Sequence, residues 1–289
     1  MIERMGLIAG NGRLPMMVVS EARRRAIPLT VAAIKEEADP ALEASVGASP
    51  GSRLEWIGVG QLGKLLRLFK KDGVQKAMMV GQVQHVRIFA PGSRSPLSQL
   101  KHLPDLKMVR LLGSLKRRNT ASLIEAVIGE LEKEGVEMVD STILLEEILV
   151  PAGVLSQRPP DEREQRDIAF GHPVAREVAR LDIGQTIVVK DQAVVAVEAM
   201  EGTDAVIRRA GELAGAEKLT MIKAGRPSRD LRFDVPVIGP ATVTAMSESG
   251  VTALALEAGQ CLLVDREALL EEADRLEIAI VGLDLEETS

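Results

Sequence analysis

Three observations predict an α/β protein of two domains. In the first half of the 289-residue chain, apolar runs of four to six residues alternate with amphipathic stretches, the pattern of a parallel sheet covered by helices. The first run ends at a glycine turn, Gly10-Asn11-Gly12, that opens a helix. After a stretch rich in Pro, Gly and Ser the texture changes, and two β-like runs meet at a two-residue turn. The reading is therefore an N-terminal Rossmann-like parallel-sheet domain over residues 1–150 and a mixed α+β domain over residues 151–289. The boundary is set to within about ten residues by composition.

In order, Met5–Ala9 reads as a buried strand, and Pro15 is tolerated in the first turn of the helix that follows. Arg23, Arg24 and Arg25 fall near that helix's C-terminus, where cations suit the dipole. Leu29–Ile34 is a second strand, residues 38–52 a loop or short helix, and Leu54–Ile57 a short strand. Gln61–Lys71 is an amphipathic helix with Leu62, Leu65, Leu66 and Phe69 on one face, stopped by Gly73. Ala77–Val80 is another strand, opening into Gly81-Gln82. Helices are expected from Pro96 onward, through 106–115 and 120–132, with Thr120 as an N-cap. Val136–Val139 is one more short strand, and Pro151–Pro160 is the best linker by composition.

In the second half, a helix spans about Glu162–Arg180. Gln185–Lys190 and Ala193–Glu198 form an antiparallel hairpin turned at Asp191-Gln192. A helix capped by Thr203 runs to about Leu213. A helix near Thr242–Ser249, strands at Val251–Leu256 and Cys261–Val264, a further helix and a terminal strand at Ile278–Val281 complete the chain.

Composition removes several function classes. With one Trp, four Phe and no Tyr there is little to stack on nucleic-acid bases, and a net charge of −6 gives no electrostatic footprint for a phosphate backbone. Nucleic acid is not an expected partner. Cys261 is the single cysteine, so intrachain disulfides and cysteine-cluster metal sites are excluded. No signal sequence or apolar run of membrane-spanning length is evident, which makes a cytoplasmic protein the expectation.

Polar turns at the ends of apolar strands carry the chemistry. Gly10, Asn11 and Gly12 form a strand–turn–helix anion site in which backbone can approach a phosphate. Pro15 stands where the dinucleotide fingerprint wants its third glycine, so nicotinamide binding is disfavoured. Gln82 follows a strand end, where ligands of parallel sheets bind. Arg118, Asn119 and Thr120 place cations ahead of a helix start. Glu198, Glu201, Gly202, Thr203 and Asp204 combine carboxylates with a helix N-terminus, a pattern that suits a magnesium ion or a phosphate and serves equally as ordinary capping.

The segment 221–236 is unlike the rest. Pro227 and Pro236 fence it against a helix. Read as extended chain, Asp230, Arg232 and Asp234 share one face while Leu231, Phe233 and Val235 share the other. Lys223 brings another cation. In a straight strand the two aspartates lie roughly 13 Å apart at ~3.3 Å per residue, too far to chelate one ion side by side. Either the segment bends or they have separate tasks. Salt bridging on a solvated surface is the plain alternative.

Together, Gly6–Gly12, Gly81-Gln82-Val83, Arg118-Asn119-Thr120, Asp182–Thr186, Glu198–Asp204 and Asp230–Pro236 resemble the LpxI family, the UDP-2,3-diacylglucosamine pyrophosphatases of bacterial lipid A synthesis. The likeness runs nearly end to end and in order. It implies hydrolysis of the substrate's pyrophosphate to UMP and 2,3-diacylglucosamine 1-phosphate (lipid X) with Mg²⁺. It implies two linked domains holding substrate between them, and an essential aspartate at 230 or 234, with Asp230 preferred. By that likeness Gly10, Asn11, Gly12, Gln82, Arg118, Asn119, Thr120, Gln185, Thr186, Gly202, Thr203 and Asp204 serve substrate. Asp230, Asp234, Glu198 and Glu201 are the metal candidates, and Lys223 and Arg232 screen developing charge. A diacylated substrate calls for an apolar groove, expected in the C-terminal half, and transient contact with the inner membrane's inner face. A homo-oligomer stays open. Two other readings remain, a nicotinamide-dependent oxidoreductase and a non-catalytic nucleotide-binding regulator.

Overall fold

The computed structural model describes residues 3–83, 104–115, 120–225, 232 and 235–284. They form two compact units that divide between Leu145 and Glu146, with Arg232 belonging to the first.

The first unit is a five-stranded parallel sheet. Its strands are β1 (Met5–Ala9), β2 (Leu29–Ile34), β3 (Arg53–Ile57), β4 (Lys76–Val80) and β5 (Glu137–Met138), in the order β3-β2-β1-β4-β5. All six residues of β2 and four of the five in β1 are buried, because helices cover both faces of such a sheet and leave no strand side for water. The helices are α1 (Leu14–Arg24), α2 (Ala41–Gly47), α3 (Leu62–Lys71), α4 (Leu106–Ser114) and α5 (Thr120–Lys133). The expected apolar face of α3 is buried, and Phe69 packs with Ile8, Ile57, Met108 and Leu131 in one core. The Asp105 carboxylate stops two helices from fraying. It accepts the Met108 N–H at 2.9 Å in the first turn of α4 and the Gly63 N–H at 2.6 Å in the first turn of α3.

The second unit is built on a six-stranded mixed sheet. Its chain runs β6 (Gly153–Val154), α6 (Glu162–Arg180), β7 (Thr186–Lys190), β8 (Ala193–Val197), α7 (Thr203–Ala214), β9 (Leu219–Lys223), β10 (Val237–Ile238), α8 (Pro240–Glu248), β11 (Val251–Glu257), β12 (Leu262–Leu263), α9 (Arg266–Arg275) and β13 (Ala279–Leu283). The strand order is β6-β13-β11-β9-β7-β8, and β10 pairs with β12 separately. Strands β13, β11 and β9 run parallel, while β6 and the β7–β8 hairpin are antiparallel to their neighbours. Asp191 and Gln192 both have positive φ, 48° and 59°, the backbone that lets a two-residue turn follow the twist of its strands.

Two expectations change here. The stretch Pro151–Pro160 is part of the second unit rather than a linker. β6 pairs with β13, Ser156 Oγ accepts the Ile280 N–H at 2.7 Å, and Arg158 donates to Glu164 and to the Thr252 carbonyl. Gly153 and Val154 make an edge, and Ser156 and Arg158 anchor it. The cap of α7 is Gly202, not Thr203, which is the first helical residue and spends its hydroxyl elsewhere.

Candidate functional site

In the first unit, the strand order reverses between β1 and β4, which is where open α/β sheets bind ligands beyond their carboxyl ends. Gly10–Gly12 follows β1 and Gly81-Gln82 follows β4, so sequence reasoning and topology arrive at the same place. The backbone of the two turns is joined: the Asn11 N–H donates to the Gln82 carbonyl at 2.7 Å, and the Gln82 N–H donates to the Asn11 carbonyl at 3.0 Å. A Cβ at Gly10 would lie 2.6 Å from the Gln82 carbonyl oxygen, and one at Gly81 (φ +90°) would lie 2.6 Å from that of Asn11. These glycines are required by this close approach. All three N–H groups of the turn are spoken for, because the Gly10 N–H also donates to the Val80 carbonyl at 2.9 Å and the Gly12 N–H to Asn11 Oδ1 at 2.7 Å. Gly12 itself, at φ +97°, has open space beside it, and no side chain caps the start of α1.

In the second unit, one end of the sheet gathers residues from four strands and a helix. The parallel strands β9 and β11 end there, β7 begins there, β8 ends there and α7 starts there. Lys223, the last residue of β9, is only 4% exposed. Its Nζ donates to Thr186 Oγ1 at 3.0 Å and to Thr203 Oγ1 at 2.9 Å, and lies 3.9 Å from Glu198 Oε2. The Thr203 hydroxyl donates to Glu198 Oε1 at 2.8 Å, and the Gln185 N–H reaches Glu198 Oε2 at 3.3 Å. A buried ammonium and a buried carboxylate thus balance each other, bridged by the Thr203 hydroxyl, which is what makes burying either one tolerable. Gly184 lets this loop sit against the end of β8, since a Cβ there would lie 2.0 Å from the Glu198 carbonyl oxygen.

On the other side of β9 a second carboxylate is held. Glu257, the last residue of β11, accepts the Gly225 N–H at 2.7 Å and lies 2.8 Å from His172 Nε2 and 3.6 Å from Arg176 Nε. Residues 223–225 therefore leave the sheet between two buried carboxylates, Glu198 and Glu257. Sequence reasoning assigned His172 no role and did not single out Glu257 or Arg176, while Gly225 fell within the segment 221–236. His172 and Glu257 are 85 residues apart, one in mid-helix and one closing an apolar strand. The available signal was a carboxylate at a strand's C-terminal end.

Of the residues expected at a site, the structure brings together Gln185, Thr186, Glu198, Thr203 and Lys223, and separately Gly10, Asn11, Gly12 and Gln82. Gly202 caps α7 beside the first group, and Asp204 is exposed in the helix's first turn, where its charge suits the dipole. Glu201 is held by Arg209 at 2.7 Å and by the Ala199 N–H at 3.1 Å. Its carboxyl lies below the ordinary glutamate range because of hydrogen bonds from its own N–H and from Arg209. Thr120 opens α5. Arg118, Asn119, Asp230 and Asp234 lie outside the described residues. At Arg232 the backbone is a turn, not the expected strand. Its carbonyl lies 2.7 Å from the Ser141 hydroxyl and its guanidinium 2.8 Å from Glu132.

Magnesium would need hard oxygen donors with room for its own waters. Among the described residues no three His, Cys, Asp or Glu side chains come together to hold a metal. Glu198 already accepts from Thr203 and Gln185 beside the Lys223 ammonium, so a cation there would be placed against a like charge. Glu201 is paired with Arg209. The described donors do not fit the ion.

Comparison with known proteins matches residues 4–148 to the LpxI N-terminal domain and residues 151–281 to the LpxI C-terminal domain. The UDP-2,3-diacylglucosamine pyrophosphatase LpxI of Caulobacter vibrioides is 34% identical over 296 aligned residues, covering 99% of each chain. Among solved structures, a UDP-glucose-4-epimerase of Stenotrophomonas maltophila with bound NAD aligns at a TM-score of 0.33 and 8% identity, over 95% of this chain and 98% of that one. The biotin carboxylase subunit of a pyruvate carboxylase aligns at 0.25 and 12%, over 74% and 42%. Neither structural likeness is strong enough to bear on the site. With family models matching both halves and a relative alike from end to end, the chain belongs to the LpxI family.

Proposed function

We propose that this protein hydrolyses the pyrophosphate of UDP-2,3-diacylglucosamine to UMP and 2,3-diacylglucosamine 1-phosphate, in lipid A synthesis. The observation that carries the reading is the 34% identity over 99% of both chains to a pyrophosphatase of that name. In support, residues quoted for the resemblance cluster at strand ends in each unit. The nicotinamide alternative gains nothing from the first turn, where Asn11 and Gly12 already spend their N–H groups within the protein.

A diphosphate repels nucleophiles by its own charge, so catalysis has to offset that charge and align a water. In this reading the C-terminal domain does the chemistry, and Asp230 or Asp234 orients the water or binds the metal. Lys223 is a positioning residue, since its ammonium is turned onto Thr186 and Thr203. Mg²⁺ is proposed as the cofactor on the resemblance alone; a divalent ion supplies charge neutralisation and a more acidic water. Because the substrate is a lipid, we also propose a cytoplasmic protein in passing contact with the inner membrane; cosedimentation with anionic vesicles tests that contact.

The test is UMP release from UDP-2,3-diacylglucosamine by purified protein with Mg²⁺, with an EDTA arm and with Asp230→Asn and Asp234→Asn. UMP is expected from the wild type and not in EDTA. One of the two variants is expected to lose about 10³-fold or more in kcat, the scale of a lost electrostatic group. No UMP with any divalent ion sinks the reading, and near-normal turnover by both folded variants removes the aspartates from it.

A further inference from the structure

The expected apolar groove was assigned to the C-terminal half, yet the first unit holds an apolar cavity. It has a volume of about 80 Å³ and lies at the carboxyl ends of β1 to β4, beneath α3, α4 and α5. Ile8, Ile34 and Ile57 form its floor, and the half-buried side chains of Val59, Ile124 and Val127 stand round it. Among the described residues that line it, Gln61 is the one polar side chain, and it turns its carbonyl to the Gly58 N–H at 3.0 Å. A water needs two to four polar partners, and the described side chains of this lining do not supply them. Space of this kind suits hydrocarbon.

Its place in the chain links it to the β1–β4 turns. Ile8 is two residues before Gly10, and Met79 and Val83, which also line the cavity, stand on either side of Gln82. A lipid whose polar part lay at those turns would have its hydrocarbon within reach of this space. The volume suits the end of a chain rather than a whole lipid.

We propose that this cavity receives the distal end of one acyl chain of the substrate, a claim that rests on the function proposed above. The site would then measure chain length, since a tail too short to reach it forgoes the burial.

The experiment uses the full chain with two probes, UDP-2,3-diacylglucosamine for turnover and cis-parinaric acid, a fluorescent fatty acid, for binding. Val127→Trp fills the space, and Val59→Thr keeps its size while adding a hydroxyl. We expect parinarate to bind the wild type and to be displaced by dodecanoate. Val127→Trp should weaken that binding and raise KM for the diacyl substrate by about tenfold, the scale of a lost apolar pocket contact, while kcat stays within about twofold. Circular dichroism reports whether Val127→Trp folds; if it does not, a severalfold rise in KM for Val59→Thr carries the proposal and an unchanged KM overturns it. Unchanged KM and parinarate affinity in a folded Val127→Trp, or no parinarate binding by the wild type, also overturns it. A wild type that releases no UMP defeats the proposed function instead, and the parinarate arm still reads the cavity.

Discussion

Lys223 shows how a single residue can carry charge without offering it to solvent. An isolated buried ammonium is expensive, and here Thr186, Thr203 and Glu198 offset that cost. Removing one partner leaves the other charged and unpaired. Lys223→Met should therefore lower unfolding free energy by about 3 kcal/mol, read by urea denaturation. The double variant Lys223→Met/Glu198→Gln removes both charges and should recover most of that loss. Activity separates positioning from plain packing: if Lys223 orients Thr186 and Thr203 for substrate, the double variant regains stability and stays impaired. If turnover returns with stability, the lysine only fills the fold.

The start of α6 is the element on which the far end of the second sheet depends. Asp161 and Glu164 form a reciprocal capping box, and Glu164, 1% exposed, also takes Arg158 at 2.8 Å and the Thr252 hydroxyl at 2.6 Å. Burial pushes the Glu164 carboxyl up, but Arg158, Thr252 and the Asp161 N–H together hold it below the usual glutamate value of 4.5. A folded-state value below the unfolded one means this stabilisation is complete above about pH 4.5 and is lost as pH falls through the lowered value. The melting temperature should drop in that acid window, and Glu164→Gln should flatten the drop while melting lower at pH 7. Glu164→Ala should cost about 3 kcal/mol at neutral pH, because Arg158 loses its buried partner. An acid profile identical in wild type and Glu164→Gln would remove this carboxylate from the account.

At the scale of the molecule, the two units have separate cores. One is built around Phe69, Ile57 and Leu131, the other around Met221, Leu254 and Ile280. Phe69 is fully buried, and Phe69→Ala should cost about 3–5 kcal/mol, a transfer loss plus the cavity left behind. Native-state hydrogen exchange gives the location: faster exchange is expected in β1, β2 and α3, with β9 and β11 unchanged. Equal acceleration in both units would show that they unfold as one.

Periodicity alone determined the alternating strands and helices of the first half, the apolar face of α3 and the β7–β8 hairpin, because these are fixed by neighbours three, four or two positions away. The order of six motifs pointed to the family. It also marked residues at strand ends as the places for chemistry. Tertiary structure alone decided which of those residues meet. It paired Gly10 with Gly81 by forcing two turns within a Cβ's width, gave the Thr203 hydroxyl to Lys223 and Glu198, and set His172 against Glu257 from 85 residues away. It also turned Pro151–Pro160 into an edge strand and its anchors, and put an apolar cavity in the first unit. Contacts of that range depend on sheet order and on what burial demands of each charge, and neither is written in the spacing of residues along the chain.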